Sequence, residues 1–328
     1  MKTIAITMGD AAGIGPEIIA AAWEKLKTIP NCRTVVYGHP HIIRRAATLR
    51  NTNTEIECWP CCRNDVLDVQ PGTIDARAGE AAYQSICRAI DDAKNNTVDA
   101  IVTAPINKAA LHLAGHHYPG HTEIFAEQCG IDNYAMMLYL GPQEHMSRDG
   151  KPSMVGHHGL AVVHVTLHSA MRTIFEQITV DSVFAKIRLA DGFMQRMIGP
   201  TGKPRIGVCA LNPHAGEGGL FGDEEVRIIE PAVHRAVAEG IHAAGPKPAD
   251  TIMIDAQAGK YDAVVAMFHD QGHIAFKLLG MYRAVNITLG LPIIRTSVAH
   301  GTAFDKAWQG IAESGSLTEA VRVALRMC

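Results

Sequence analysis

The sequence predicts an α/β protein built on a largely parallel sheet and divided into two lobes. Short apolar, β-branched runs alternate with longer helical stretches along the chain, the pattern of strands joined by crossover helices. Many of those runs end in Gly, Asn, His or Asp, as strands do when the loops at their carboxyl ends carry a site. With 328 residues, the chain exceeds what one core usually holds and can bury roughly 75% of its unfolded surface.

The expected strands are 3–8, 33–38, 98–104, 134–140, 160–166, 205–210, 262–268 and 283–288. The first is Thr-Ile-Ala-Ile-Thr-Met, and the fifth opens Leu160-Ala161-Val162-Val163-His164. Helices are expected at 16–28, 74–95, 106–114, 170–198, 223–239 and 302–313, where apolar residues recur at helical rather than alternate spacing. Two stretches rich in Gly and Pro, 141–159 and 240–250, read as inserted loops. No internal repeat or low-complexity tract is present. The lobes are placed at 1–128 with 278–328, and at 129–277.

Composition excludes several classes of function. With 47% hydrophobic and 19% charged residues, the chain is not disordered. Thirty basic against 33 acidic residues, a net charge of −3, argue against a nucleic-acid footprint. No apolar stretch approaches the ~18 residues of a membrane span. Asp10 and Glu17 interrupt any signal-like region after Met1, so a cytoplasmic location is expected. Eight cysteines are too sparse for a disulfide scaffold. Cys58, Cys61 and Cys62 contain a Cys-x-x-Cys, but no second pair completes a tetrahedral set, which favours a plain thiol cluster. The unusual count is 17 histidines, the residue that most often ligates metals and moves protons.

Chemistry-bearing residues fall in three groups. Gly9-Asp10-Ala11-Ala12-Gly13-Ile14-Gly15-Pro16-Glu17 follows the first strand and opens a helix. It is either an anion-binding turn or a tight strand-to-helix turn, and Ile18 stands where a dinucleotide fingerprint needs its third glycine. His164 ends one strand; Asn212-Pro213-His214-Ala215-Gly216-Glu217 and Phe268-His269-Asp270-Gln271-Gly272-His273 directly follow two others. Three imidazoles at converging strand ends would make a catalytic three-ligand metal site, whereas each alone is more simply a core or surface histidine. The third group is Gly120-His121-Thr122-Glu123, Lys277, Asn286 and Arg295-Thr296-Ser297. There Arg suits bidentate binding of phosphate or carboxylate, with His, Thr and Asn adding hydrogen bonds. The bland reading is solvated charge and a glycine-bounded turn.

Together these motifs resemble the 4-hydroxythreonine-4-phosphate dehydrogenase (PdxA) family. Gly245-Pro246-Lys247-Pro248-Ala249-Asp250-Thr251 and the run Val285-Asn286-Ile287-Thr288-Leu289-Gly290-Leu291-Pro292-Ile293-Ile294-Arg295-Thr296-Ser297 belong to the same match, which covers residues 3 to about 312 in family order. The resemblance implies an isocitrate/isopropylmalate dehydrogenase-like fold with the active site in a cleft between two lobes. It implies oxidation of a secondary alcohol on a phosphorylated hydroxy acid, with NAD as oxidant (NADP the alternative), followed by decarboxylation. A divalent metal (Zn, Mg, Mn or Co) is implied on His164, His214 and His269, contributed across a homodimer interface. Substrate contacts are implied at His121, Thr122, Lys277, Asn286 and Arg295, and proton exchange at Lys277 with Asp250 a further candidate. His300-Gly301-Thr302-Ala303-Phe304-Asp305 is similar to the cofactor loop of decarboxylating dehydrogenases, so His300, Gly301, Thr302 and Asp305 join Gly13 and Gly15 as cofactor candidates.

Departures bear on the substrate. Ala11 replaces the usual proline, His168 stands where the vitamin-B6 enzyme generally has Arg, and loop 141–159 is longer than the family norm. Leu113–Gly120 and Leu220–Glu225 look closer to the branch that oxidises D-threonate or D-erythronate 4-phosphate. Val163-His164-Val165-Thr166-Leu167-His168 is also similar to cis-dihydrodiol dehydrogenases of terephthalate-type degradation, the second reading. A silent metal-binding relative is the non-enzyme reading. A kinase or phosphatase lacks the Walker Lys-Ser/Thr pair.

Overall fold

The computed structural model describes residues 1–142, 144–146, 152–154, 158–200, 202–280 and 283–328. In chain order the first segment holds β1 (Lys2–Thr7), α1 (Gly15–Lys27), β2 (Cys32–Gly38), α2 (Pro40–Leu49), β3 (Cys58–Pro60), α3 (Ala76–Lys94), β4 (Ala100–Thr103), α4 (Lys108–Leu113) and α5 (His121–Cys129). Next come β5 (Ala135–Leu140), β6 (Glu144–Met146), β7 (Pro152–Met154), β8 (Leu160–His164), α6 (Ile174–Gln177), α7 (Val180–Ile198), β9 (Arg205–Cys209), α8 (Glu230–Ala238), β10 (His242–Lys247), α9 (Ala249–Gln257), β11 (Ala263–Ala266) and α10 (His269–Gly280). The chain closes with β12 (Val285–Leu289), β13 (Ile294–Val298) and α11 (Gly315–Met327). It divides into two compact units, Met1–Tyr134 with Val285–Cys328 and Ala135–Ala284.

In the first unit the strand order is β12-β13-β4-β1-β2-β3, parallel throughout except for the antiparallel pair β12–β13. Register aligns Thr7 with Thr103, and Thr103 with Ser297. The carboxyl ends of three parallel strands therefore lie side by side, where an open α/β sheet offers its ligand crevice. Helix α3 packs its apolar stripe of Ile86, Ala89 and Ile90 into a core with Ala5, Val35, Ile101 and Phe125, as an amphipathic helix must. Gly15 at the start of α1 is obligatory: a Cβ there would stand 2.3 Å from the Met8 carbonyl oxygen.

The second unit orders its strands β10-β9-β11-β8-β5, with β5 antiparallel to β8 and the others parallel. Ala266 registers with His164, and Val265 with Val208. The bodies of β8, β9 and β11 are near-continuous buried apolar runs, as parallel strands covered on both faces require.

Several expected elements change. Residues 302–313 form turns rather than a helix, because Ala303 and Trp308 adopt left-handed backbone (φ 42° and 61°) and the Trp308 indole donates to the Ala11 carbonyl at 2.9 Å. The expected loop 240–250 contains β10, which pairs with β9 through a register irregularity between Ala244 and Lys247; its proline is tolerated because the strand lies at the sheet edge. Helix 170–198 breaks at Ile178, where Thr179 and Ser182 form a reciprocal capping box that starts α7. Helix 223–239 begins with a π turn over Glu225–Ile229. Helices α2, α5, α9, α10 and α11 were not among the expected elements. About half of loop 141–159 lies outside the described residues, and β6 and β7 pair antiparallel within it. None of the described helices is long and apolar enough to cross a membrane.

Candidate active site

The first unit buries a cation. Arg295, on β13, is 1% exposed. Its Nη1 donates to Thr288 Oγ1 and its Nη2 to Thr103 Oγ1, each at 2.8 Å. Its Nε has no hydrogen-bond partner, and no described carboxylate forms an ion pair with it. The guanidinium carbon lies 5.5 Å above the Phe125 ring. Burial pushes the guanidinium down to about 9, with Glu123 opposing, so it stays charged at neutral pH. A buried cation that feels the Glu123 charge but touches no carboxylate is costly unless an anion reaches it.

Other unpartnered groups sit in the same unit. His121 is the first residue of α5; its Nε2 is buried without a partner. Burial, then the charge of Arg295, holds this imidazole well below its ordinary range, so it is neutral. Asn286 Oδ1 is likewise buried and unsatisfied. Asn286 and Thr288 are two apart on β12 and opposite Ser297 and Arg295 on β13, which puts all four on one sheet face. Thr122 reaches Thr288 at 3.5 Å between hydroxyls. Sequence reading found His121, Thr122, Asn286 and Arg295, but missed Thr103 and Thr288. The period of two from Asn286 was the available signal for Thr288; Thr103 had none.

The glycine turn and the 300-loop also meet. Ile14 N–H donates to the Thr302 carbonyl at 3.1 Å, which sets Gly13 and Gly15 beside the segment His300, Gly301, Thr302. Asp10 accepts from Ala12 N–H at 2.8 Å through Oδ1, while its Oδ2 is buried and unpartnered. Burial raises this carboxyl to about 6 against the pull of the Ala12 hydrogen bond. His300 Nδ1 lies 3.1 Å from the Gly301 oxygen and its Nε2 is buried without a partner; burial lowers its affinity for a proton. Asp305 accepts through its backbone oxygen from Gln309. Glu17 is structural: it accepts the Ala312 N–H at 2.9 Å.

In the second unit, His164 and His269 lie 6.3 Å apart between ring centroids. His273, one turn along α10, stacks on His269 at 3.8 Å and 11°, and its Nδ1 is 3.1 Å from His164 Nε2. Burial and the neighbouring histidines push His164 down to about 3; the same causes, in that order, bring His273 to about 4. Both are neutral at pH 7, the form that binds a metal. His164 Nδ1 makes no hydrogen bond, although the Met136 backbone is close enough to offset part of the shift. His168 stands 6.3 Å from His269. His273 was missed, although its spacing of four from His269 on one helix face was readable.

His214 is not gathered with these two. It is exposed, beside Phe221 at 6.2 Å, in a run of left-handed backbone from His214 to Gly218. Glu225 anchors the approach to that run by accepting from Leu211 N, Asn212 N and Asn212 Nδ2 at 2.7–2.9 Å. Gln271 accepts from Met267 N and donates to the Ala210 oxygen, both at 2.7 Å, tying the ends of β9 and β11. Lys277 is exposed on α10, and its charge is felt at His273. Asp250 is exposed in the first turn of α9. Among the described residues no three His, Cys, Asp or Glu form a metal-holding group. The Cys58, Cys61 and Cys62 thiols are pushed up by burial to about 12, 11 and 12, which leaves them protonated and unreactive.

The fold and these two groups define an α/β protein with a buried arginine cluster in one unit and imidazole-rich strand ends in the other. The family model described as pyridoxal phosphate biosynthetic protein PdxA matches residues 30–324, and the chain belongs to that family. It is 43% identical to the D-threonate 4-phosphate dehydrogenase of Salmonella typhimurium, over 99% of each chain. The crystal structure of the 4-hydroxythreonine-4-phosphate dehydrogenase from Klebsiella pneumoniae aligns with a TM-score of 0.83 at 42% identity, covering 100% of this chain and 99% of that one. A β-decarboxylating dehydrogenase from Thermococcus kodakarensis aligns with a TM-score of 0.53 at 14% identity, covering 99% of this chain and 82% of that one, a likeness of fold alone.

Proposed function

We propose that the chain oxidises the secondary alcohol of a 4-phosphorylated hydroxy acid, of the 4-hydroxythreonine or D-threonate/D-erythronate kind, and that the resulting β-keto acid loses carbon dioxide. The observation that carries the reading is the buried Arg295, with no carboxylate in contact and its Nε unpartnered, in the same unit as the unpartnered His121 Nε2 and Asn286 Oδ1. A dianionic phosphate supplies the charge and accepts from Arg295 Nε–H and from His121 in the tautomer with the proton on Nε2, while the unpaired Asn286 Oδ1, an acceptor, suits a substrate hydroxyl. Family membership and the names of the relatives support the reaction class.

Two groups are required that the chain itself does not provide. When bound, NAD supplies the oxidant and a divalent ion supplies Lewis acidity. His164 fits the ion: it is buried, neutral and has an unclaimed ring nitrogen. His269 is its neighbour, and we propose His214 as the third ligand, with the set completed between two copies of the chain in a homodimer. His300, with its unclaimed buried nitrogen, and the abutting Gly13–Gly15 and Gly301–Asp305 segments are the proposed cofactor contacts. His121, Thr122, Asn286 and Arg295 hold the phosphate. Lys277 takes the alcohol proton, with Asp250 passing it to solvent.

An NADH-formation screen tests the reading with 4-hydroxythreonine, D-threonate and D-erythronate 4-phosphates against a terephthalate-type cis-dihydrodiol. Turnover of a phosphorylated acid is expected. Turnover of the dihydrodiol alone would replace the reading, and silence toward all four despite metal binding would favour a non-enzymatic relative.

A further inference from the structure

The Arg295 guanidinium is held by two hydroxyls rather than by a carboxylate. Thr288 comes from β12 and Thr103 from β4, the strands that flank β13 on its two sides, and each accepts one N–H at 2.8 Å. A hydroxyl fixes the plane of the cation but leaves its charge intact; an Asp or Glu in either place would satisfy it and compete with an incoming anion. Thr288 is 3% exposed and Thr103 fully buried, so neither hydroxyl is free to turn away to solvent. Since Thr288 Oγ1 already accepts from Arg295, its own hydrogen is available to Thr122 Oγ1, 3.5 Å away. One hydroxyl thus touches two of the residues assigned to the phosphate.

We propose that Thr288 and Thr103 are positioning residues for the anion site: they orient Arg295 without neutralising it, and Thr288 couples Arg295 to Thr122. This rests on the phosphate reading above. Neither threonine need touch the substrate; each acts through the arginine.

The test is calorimetric binding of inorganic phosphate to wild type, Arg295→Lys, Thr288→Val, Thr288→Ser and Thr103→Val. Valine keeps the shape and strand preference of threonine and removes only the hydroxyl, and Thr103→Val serves if Thr288→Val does not fold. Each valine variant is expected to bind phosphate about tenfold more weakly, the scale of one hydrogen bond to a charged group. Thr288→Ser is expected to bind like wild type, which a purely structural role for the side chain would not produce. Wild-type affinity in both valine variants, or a serine variant as weak as valine, overturns the proposal. If Arg295→Lys weakens binding while the valine variants do not, the threonine proposal alone falls. If wild type binds no phosphate, or Arg295→Lys changes nothing, the phosphate reading falls and takes this proposal with it.

Discussion

Arg295 shows how much a single residue decides. Lysine in its place keeps the charge but loses the planar fork that the two threonines grip. The expected loss is ~2 kcal/mol, roughly thirtyfold in kcat/KM, on a 4-phosphorylated substrate, and none on the dephosphorylated parent. Steady-state kinetics of Arg295→Lys on both compounds checks this; equal losses would mean that Arg295 serves the fold or a carboxylate. Asp10 makes a second residue-scale prediction. Its carboxyl titrates near 6 in the folded chain against an ordinary 3.8, so the folded state favours the protonated form. That contribution is fully present below the unfolded value and is lost as pH rises through about 6, at up to ~1.4 kcal/mol per pH unit. Urea unfolding of wild type and Asp10→Asn between pH 4 and 7 isolates it: the variant is expected to gain relative stability as pH rises. A constant difference across that range would refute the buried charge.

At the scale of elements, α10 is the informative case. Its Gly272 sits in a helix interior, where alanine normally stabilises by ~1 kcal/mol. Here a Cβ would lie 2.5 Å from His164 Nε2. Gly272→Ala is therefore expected to destabilise by about 1–3 kcal/mol, as overpacked cores do, and to disturb His164. A melting temperature above wild type would contradict that packing. From sequence, Phe268-His269-Asp270-Gln271-Gly272-His273 shows only as a run directly after a strand, with no helix expected there, because the glycine and the polar run mask helical periodicity. The stacking of His269 on His273 depends on α10 forming. The expected helix at 302–313 failed for a related reason: Ala303 and Trp308 are residues that propensity places in helices, and packing of the indole against the Ala11 carbonyl overrode it.

For the whole molecule, the proposed assembly makes the sharpest test. If two copies share each site, with His164 and His269 from one copy and His214 from the other, mixing inactive His164→Ala and His214→Ala proteins is expected to restore part of the activity, as subunit exchange forms one intact site in the mixed dimer. No restoration, with a monomeric sedimentation profile, would end that proposal. The chain itself leaves the first unit after Tyr134 and returns at Val285, so the residues proposed for the phosphate come from stretches more than 150 positions apart: Thr122 and Thr288 are 166 residues apart in sequence.

The sequence by itself determined the α/β class, the family and most strand positions, and it singled out His121, Thr122, Asn286 and Arg295 as candidates for an anion site, because apolar periodicity and long motifs are local properties. It also determined that three histidines follow strand ends. Only the tertiary structure decided that Arg295 is buried with no carboxylate in contact, that Thr103 and Thr288 hold it, and that His273 joins His164. The physical reason is that burial, desolvation and hydrogen-bond partnership arise between segments distant in the chain, where no local pattern records them.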